Sequence, residues 1–151
     1  MAEIRAYEPS DLEPVVEIFR SNIPKYFGPS EEPGLREFLI STRGQDYYVI
    51  VDNEAVIGAG GIALNDDDTV SLCWGMVRKD HLGTGLGKKL TEYRIQACRT
   101  KFGGRAMVTS TSQHTEGFYE KFGFRTVEHT PDGFGPGLDS CKMRLDIVPT
   151  N

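Results

Sequence analysis

The segment that most constrains this chain is 83–87, in which every second residue is glycine. An apolar segment ending at Val77 precedes it, and an amphipathic segment begins at Leu86. Glycine lets the backbone turn tightly and lets a ligand approach without a clash at Cβ. A helix start adds unpaired N–H groups and a partial positive charge. A strand, a glycine loop and a helix in this order predict an anion site suited to phosphate.

Two common phosphate-binding patterns do not fit this loop. A Walker A loop requires GxxxxGK followed by Ser or Thr, but Leu82 stands at the first glycine and Lys89 follows Lys88. A Rossmann fingerprint requires a third glycine at its sixth position, and that position holds Lys88 or Leu90, whichever glycine starts the count. A glycine-rich turn without a ligand stays open as an alternative.

The pattern around the loop predicts one mixed α/β domain over residues 1–151. An antiparallel meander followed by a strand–helix–strand unit indicates a mostly antiparallel central sheet of about seven strands, with about four helices on both faces. We expect strands over residues 4–7, 47–51, 55–64, 69–77, 106–110, 124–129 and 141–147. We expect helices from Ser10 to before Pro24, and over 32–42, 86–102 and 116–122.

Local signals set the ends and faces of these elements. Ser10 and Glu13 have the spacing of a capping box at the start of the first helix, and Gly44 should end the second. Residues 131–139, rich in Pro and Gly, should form a loop. In the third helix, apolar residues at helical spacing predict that four side chains face the core: Leu86, Leu90, Tyr93 and Ala97.

Composition excludes several classes of function. The net charge is −5, and nucleic-acid binding needs clustered Lys and Arg, so we expect no nucleic-acid partner. No run of 18 apolar residues indicates a membrane span, and residues 1–5 lack the apolar core of a signal peptide. The three cysteines show no CxxC spacing, which favours reduced thiols and a cytoplasmic location.

A second motif follows the glycine loop. Residues 116–124 read EGFYEKFGF and form a short predicted helix. Together the two motifs resemble the GNAT superfamily of acyl-CoA-dependent N-acyltransferases, whose loop is written Q/R-x-x-G-x-G/A and whose second motif resembles FYEKLGF. Leu82 replaces the family's Gln or Arg, but backbone N–H groups do most of the loop's binding. The resemblance covers residues 69–127, and the whole chain more loosely through its element order.

The resemblance implies a site for acetyl-CoA as co-substrate, with no metal. The strand ending at Val77 would open away from the next strand and pair with the pantetheine arm. Tyr119, the implied catalytic residue, would protonate the leaving thiolate. The implied cofactor-binding residues are Met76, Val77, Leu82, Gly83, Thr84, Gly85, Leu86, Gly87, Lys88 and Ser112. Ser112 stands where the family often has Asn.

The resemblance further implies an N-acetyltransferase that moves an acetyl group to a primary amine of a small molecule, by direct transfer in a ternary complex. The Val77 N–H would stabilise the oxyanion. A homodimer is compatible with the family. Three alternatives stay open: an acetyltransferase acting on protein or peptide amines, a non-catalytic acyl-CoA-binding regulator, and a nucleotide-binding protein.

The general base and the acceptor site are not assigned by sequence. Candidate bases are Ser71, Cys73, His81, His114, His129 and a bound water. Acceptor specificity is expected from Tyr26, Phe27, Tyr47 and Phe134. The acidic turn 66–68 could attract a cationic amine, but a solvated hairpin turn is the favoured interpretation of these residues.

Overall fold

The computed structural model describes residues 2–41 and 46–147. Its strands are β1 (Glu3–Ala6), β2 (Tyr47–Asp52), β3 (Ala55–Leu64), β4 (Val70–Val77), β5 (Met107–Thr111), β6 (Arg125–Gly135) and β7 (Leu138–Leu145). Its α-helices are α1 (Leu12–Ser21), α2 (Glu32–Ile40), α3 (Leu86–Phe102) and α4 (Glu116–Glu120). The predicted end of the second helix at Thr42 and its stop at Gly44 lie outside the described residues.

The strands form one sheet in the order β1-β2-β3-β4-β5-β7-β6. Neighbouring strands are antiparallel except β4 and β5, which run parallel. A parallel pair needs a crossover connection, and α3 supplies it. The predicted mixed, mostly antiparallel sheet with four helices is therefore confirmed.

The helices cover both faces because alternate strand residues point to opposite sides. On β2, Tyr47 and Val49 join the core beneath α1 and α2, whereas Ile50 packs with Leu90 of α3 on the other face. The fully buried face of α1 comprises Val15, Val16, Ile18 and Phe19.

The boundaries of α3 match the prediction, and three of its four predicted core residues are confirmed: Leu90 is buried, and Leu86 and Ala97 pack against the core. The fourth, Tyr93, is wrong. Tyr93 is 40% exposed, while Arg94 is 1% exposed. The inward face comprises Leu90, Thr91, Arg94, Ile95 and Cys98. Successive residues on a helix are rotated by about 100°, so Tyr93 and Arg94 face different sides, and apolarity alone chose the wrong one of the two. Tyr93 instead packs edge-on against Tyr48, with ring centroids 5.0 Å apart.

The start of α1 also differs from the prediction. A 3₁₀ turn at Pro9–Asp11 leads into the helix, and Asp11, not Ser10, occupies the N-cap position. The Asp11 carboxylate accepts a bidentate pair from Arg5 at 2.8 and 3.0 Å and the N–H of Glu8 at 2.8 Å. The predicted capping box of Ser10 and Glu13 is therefore wrong. Asp11 takes the N-cap position, where its carboxylate pairs with the Arg5 guanidinium.

We expect Asp11→Asn to lower the free energy of unfolding by about 1.5–3 kcal/mol at pH 7, the usual loss for hydrogen bonds to a charged group. The Arg5 hydrogen bond holds the pKa of Asp11 below its usual value. A lowered carboxyl pKa stabilises the fold at pH values above about 4, the unfolded pKa, and this contribution disappears as pH falls through the folded pKa.

Urea unfolding of wild type and Asp11→Asn from pH 3 to 7 measures this difference. The gap between the two proteins should be constant above pH 5 and shrink below pH 4. Asp68→Asn is the control, because its side chain is 81% exposed and lies 3.9 Å from Arg105, so it should change stability little. A gap that persists unchanged at pH 3 contradicts the proposed role of the carboxylate.

The predicted loop at residues 131–139 is instead the end of a long hairpin between β6 and β7. Gly135 and Gly137 adopt positive φ, which permits the tight turn. Asp132 accepts the N–H of Gly137 at 2.7 Å and donates its own N–H to Asp139 at 2.9 Å. These bonds close the hairpin across a stretch of irregular strand pairing. The Pro and Gly content of this stretch had predicted a loop.

Candidate active site

The glycine loop has the backbone that its composition predicts. Gly83 and Gly85 have φ of +80° and +86°, the left-handed region that side chains disfavour. A Cβ at either residue would meet nothing within 4 Å, so backbone conformation rather than crowding requires glycine there. Gly85 is the N-cap of α3, and no side chain caps this helix. The first-turn N–H groups therefore face the loop without a side-chain acceptor.

The sheet splits next to this loop. In the described sheet, β4 and β5 pair only at Val70 with Met107 and at Ser71 with Val108. The pairing of β4 with β3 shifts register near Trp74, which has φ of +45°. A bulge of this kind bends a strand and ends its pairing. The rest of β4 therefore presents an open edge toward β5, as the family resemblance implies.

A cavity of about 970 Å³ joins the loop to the split. Nine of the eleven residues that the resemblance assigned line it: Met76, Val77, Leu82, Gly83, Gly85, Gly87, Lys88, Ser112 and Tyr119. Thr84 and Leu86 do not line it. The Thr84 hydroxyl donates to the carbonyl of His81 at 2.5 Å. Leu86, the first residue of α3, packs against the buried residues Ile50, Ile57 and Leu90. Their assignment to cofactor binding remains a prediction.

Tyr119 lies on α4 at the wall of the cavity and is largely buried. Its ring packs edge-on against Phe118 and Phe124, with centroids 5.2 and 5.7 Å away. Ser112 begins this segment: its hydroxyl accepts the N–H of His114 at 3.3 Å, and its carbonyl accepts two further N–H groups of the turn. Ser112 therefore orders the turn that positions Tyr119, whatever else it contacts.

The other end of the cavity is aromatic. Phe27 stacks on Trp74 with centroids 6.1 Å apart, and Tyr26 meets His114 edge-on at 6.2 Å. Phe134 from the β6–β7 hairpin also lines this end. Tyr26, Phe27 and Phe134 therefore line the cavity, and their role in acceptor specificity remains a prediction. Tyr47 does not line the cavity; it is buried, and its hydroxyl donates to the Trp74 carbonyl at 2.9 Å.

Two carboxylates line the cavity, Glu31 and Asp67. Glu31 accepts the N–H of Gly28 at 2.7 Å, and burial raises the pKa of Glu31. Hydrogen bonds from Thr69 lower the pKa of Asp67. Sequence reasoning missed Glu31, because nothing in the pattern near α2 distinguishes it from a solvated helix start.

The candidate bases divide into two groups. Ser71, Cys73, His81 and His114 line the cavity. His129 does not; it bonds Asp139 at 2.8 Å on the β6–β7 hairpin. His81 faces the guanidinium of Arg78 at 3.0 Å, and Arg78 itself pairs with Asp80 at 2.7 Å. The choice of base therefore remains open among the first group, Glu31 and water.

Two buried polar side chains in the cavity wall were not predicted. Asn22, just after α1, donates to the carbonyls of Ile18 and Val77 at 3.0 and 2.9 Å, but its Oδ1 has no partner among the described residues. Arg94 on α3 likewise has two buried nitrogens without a partner. No sequence signal identifies either residue, since both look like ordinary helix-surface positions.

Two further features concern only the described residues. No group of three or more His, Cys, Asp or Glu side chains in residues 2–41 and 46–147 is arranged to hold a metal ion. None of the described helices is long and apolar enough to cross a membrane.

Comparison with known proteins identifies the family. A sequence model of the acetyltransferase (GNAT) domain matches residues 27–147. No curated protein matches the sequence. A solved structure assigned to the GNAT acetyltransferases, from Desulfovibrio desulfuricans, superposes with a TM-score of 0.81 at 22% identity, covering 98% of this chain and 100% of that one.

Two solved enzymes share the fold at lower identity. The ribosomal-protein-S18-alanine N-acetyltransferase of Escherichia coli has a TM-score of 0.82 at 17% identity, covering 100% of this chain and 97% of that one. An aminoglycoside 6'-N-acetyltransferase complexed with coenzyme A has a TM-score of 0.77 at 18% identity, covering 99% of both chains. With the family match over most of the sequence, these structures lead to one assignment: the chain belongs to the GNAT acetyltransferase family.

Proposed function

We propose that this protein is an N-acetyltransferase that moves an acetyl group from acetyl-CoA to a primary amine of a small molecule. One observation carries the proposal: a single cavity joins the glycine loop, the split between β4 and β5, Tyr119 and several aromatic side chains, and two carboxylates of the described residues, Glu31 and Asp67, also line it. Donor and acceptor sites in one cavity suit direct transfer in a ternary complex.

The residues present fit acetyl-CoA. Gly83 and Gly85 leave open space above the loop, and the uncapped start of α3 supplies N–H donors for a diphosphate. Lys88 lines the cavity, whereas Lys89 is held by the carbonyl of Ala2 at 2.8 Å, so Lys88 is the lysine proposed to face the phosphates. The open edge of β4 offers backbone groups to an amide-bearing arm, as strand addition does.

Acetyl-CoA supplies an activated acetyl thioester, and the side chains of the cavity handle the protons and charge. The Tyr119 hydroxyl would donate its proton to the leaving sulfur. The Val77 N–H would stabilise the oxyanion, while its carbonyl is already held by Asn22. Glu31 is a candidate base, because its raised pKa lies nearer neutral pH, where a general base works best.

The acceptor end favours a cationic amine. An alkylammonium has a pKa of about 10.4 and carries a positive charge at pH 7. Glu31 and Asp67 would attract that charge, and the faces of Phe27 and Trp74 can bind it further. The fold does not separate small-molecule from protein acceptors, because the S18-alanine and aminoglycoside enzymes resemble this chain about equally. The aromatic side chains that line the cavity, among them Phe27, Trp74 and Phe134, suit a small amine.

We expect CoA and acetyl-CoA to raise Tm, and ATP and NAD at matched concentration not to. At 100 times Kd a ligand stabilises by about 2.7 kcal/mol, or about 5–11 °C for a domain of this size. Gly85→Val should abolish the shift, because a β-branched residue disfavours the φ of +86° that forms the loop. Differential scanning fluorimetry measures both effects.

Gly103→Val is the matched control. Gly103 also has positive φ and open space around its Cβ, but it ends α3 and does not line the cavity. This variant should lose stability yet keep the full CoA shift. A wild type that ignores both CoA species would refute the donor site. If the shift is seen, release of free thiol across a library of small amines and basic peptides tests the acceptor class.

A further inference from the structure

Arg94 occupies a place where an arginine is unusual. It lies on the inward face of α3 and is 1% exposed, although charged side chains are rarely buried unless paired. Its Nε and Nη1 are buried and have no hydrogen-bond partner among residues 2–41 and 46–147. No carboxylate in those ranges forms an ion pair with it. A donor-rich cation is therefore held inside the protein without an acceptor.

The strands beside Arg94 are shaped around its guanidinium. A Cβ at Gly75 would lie 2.6 Å from Nη2 and 2.9 Å from Nη1, and a Cβ at Gly60 would lie 3.2 Å from Cζ. Neither glycine has a positive φ, so close contacts rather than turn geometry favour glycine there. The guanidinium crowds Gly75, whereas a Cβ at Gly60 would meet the Gly75 Cα and the Leu90 Cδ2 at 3.1 Å as well as the guanidinium. The guanidinium thus lies against β3 and β4 where the bulge at Trp74 opens the sheet.

Arg94 also lines the cavity. On α3 it shares the inward face with Gly87 and Thr91, which line the cavity nearer the glycine loop. Seven residues of helix separate Gly87 from Arg94, or about 10 Å along the axis. Arg94 therefore lines the cavity about two helical turns beyond the loop, and its guanidinium lies against Gly75 of β4.

We propose that Arg94 binds a carboxylate of the reacting substrates, and that this carboxylate belongs to the acyl chain of the donor. A planar guanidinium matches a carboxylate through paired N–H donors, and a buried charge is stable only when it is paired. Because the donor site is itself proposed, this inference rests on the proposed function. It extends the donors from acetyl-CoA to CoA thioesters of dicarboxylic acids.

Position favours the donor over the amine as the source of the carboxylate. Arg94 lies on the α3 side of the sheet, below the loop proposed to hold the diphosphate. The aromatic acceptor residues Tyr26 and Phe27 lie near α1 and α2, and Phe27 packs into the core on the opposite face. A chain entering from the loop would reach Arg94 at its acyl end.

The transfer is unchanged by such a donor. The bond from the acyl carbon to sulfur breaks, and a bond from that carbon to the amine nitrogen forms. The nitrogen loses a proton and the thiolate gains one, so no oxidant or reductant is needed. The distal carboxylate takes no part in bond making and stays ion-paired to Arg94.

Matched thioesters test the proposal through binding, measured by calorimetry without any amine. Succinyl-CoA is compared with butyryl-CoA, and malonyl-CoA with propionyl-CoA, so each pair has equal carbon number and differs in charge. We expect the carboxylated member of at least one pair to bind about 10–100-fold more tightly, as one charge-assisted bond provides. A second arm keeps acetyl-CoA as the donor and compares turnover of two acceptors, glycine and methylamine. Only glycine carries a carboxylate, so this arm tests for a carboxylate on the acceptor.

Arg94→Met separates binding from folding. An apolar side chain of similar length removes the unpaired charge, so Tm should stay the same or rise, and the preference for the carboxylated member should fall to about 1. Arg94→Lys should retain part of it. The proposal fails if wild type shows no preference for the carboxylated thioesters, including the case in which only glycine is preferred over methylamine, or if Arg94→Met keeps the preference. Binding of CoA without any carboxylate preference overturns this inference alone, whereas no binding of any CoA species overturns the donor site.

Discussion

Replacing Tyr119 with phenylalanine is expected to lower kcat about 10²–10⁴-fold, the contribution typical of a positioned general acid. The substitution removes one hydroxyl and keeps the ring that packs against Phe118 and Phe124. Stability and CoA affinity should therefore change little, since neither depends on the proton. Steady-state release of CoA with an active amine measures kcat, and calorimetry with CoA measures the binding.

Tyr93→Phe provides the matched control for Tyr119→Phe. Tyr93 is 40% exposed on the outer face of α3 and does not line the cavity, so loss of its hydroxyl should leave kcat unchanged. Equal kcat for wild type and Tyr119→Phe would exclude the hydroxyl as the proton donor. A fall in CoA affinity that matches the fall in kcat would assign Tyr119 to donor binding instead.

The second large effect is on stability: Phe19→Ala should lower the free energy of unfolding by about 3–5 kcal/mol. Phe19 is fully buried on the inward face of α1. Its ring packs against those of Phe27 and Trp74, with ring centroids 5.2 and 6.2 Å apart. Truncation leaves a cavity that the rigid sheet cannot fill. Urea denaturation measures the loss, which corresponds to about 6–20 °C in Tm.

Phe19→Leu keeps most of the volume and is the control, with a smaller expected loss. Because Phe27 and Trp74 line the aromatic end of the cavity, this milder variant should raise KM for the amine while leaving CoA affinity intact. A loss below about 1 kcal/mol for Phe19→Ala would mean that the α1 core repacks freely. A change in CoA affinity alone would contradict the separation of the two ends.

Local sequence signals predicted the parts of the fold that local forces determine. The glycine loop located the start of α3 at Leu86, and Gly103, with its positive φ, located the end. The strands from Tyr47 to Val77 followed from alternating apolar residues and turn signals. These elements also brought together most of the proposed donor site, because a loop, its helix and its strand are contiguous in sequence.

Tertiary contacts determined what the sequence did not predict. The inward orientation of Arg94 depends on the absence of Cβ atoms at Gly60 and Gly75. These glycines lie on β3 and β4, which meet α3 only after folding. The unpaired Oδ1 of Asn22 and the half-buried position of Glu31 likewise depend on neighbours that are distant in sequence. A polar residue in or beside a predicted helix is normally assigned to the surface. The helical periodicity of the sequence therefore does not predict that Arg94, Asn22 and Glu31 are turned inward.

The split between β4 and β5 has a thermodynamic consequence. Two paired positions link the sheet of β1–β4 to that of β5–β7. Cooperative units of a protein are the regions joined by many contacts, and sparse joints open first in amide hydrogen exchange. We expect the backbone amides along this split to exchange earlier than those inside either part of the sheet, although side chains of β3, β4, β5 and β7 share one core across it. A ligand that pairs with the open edge of β4 should slow that exchange, because binding to the folded state stabilises it.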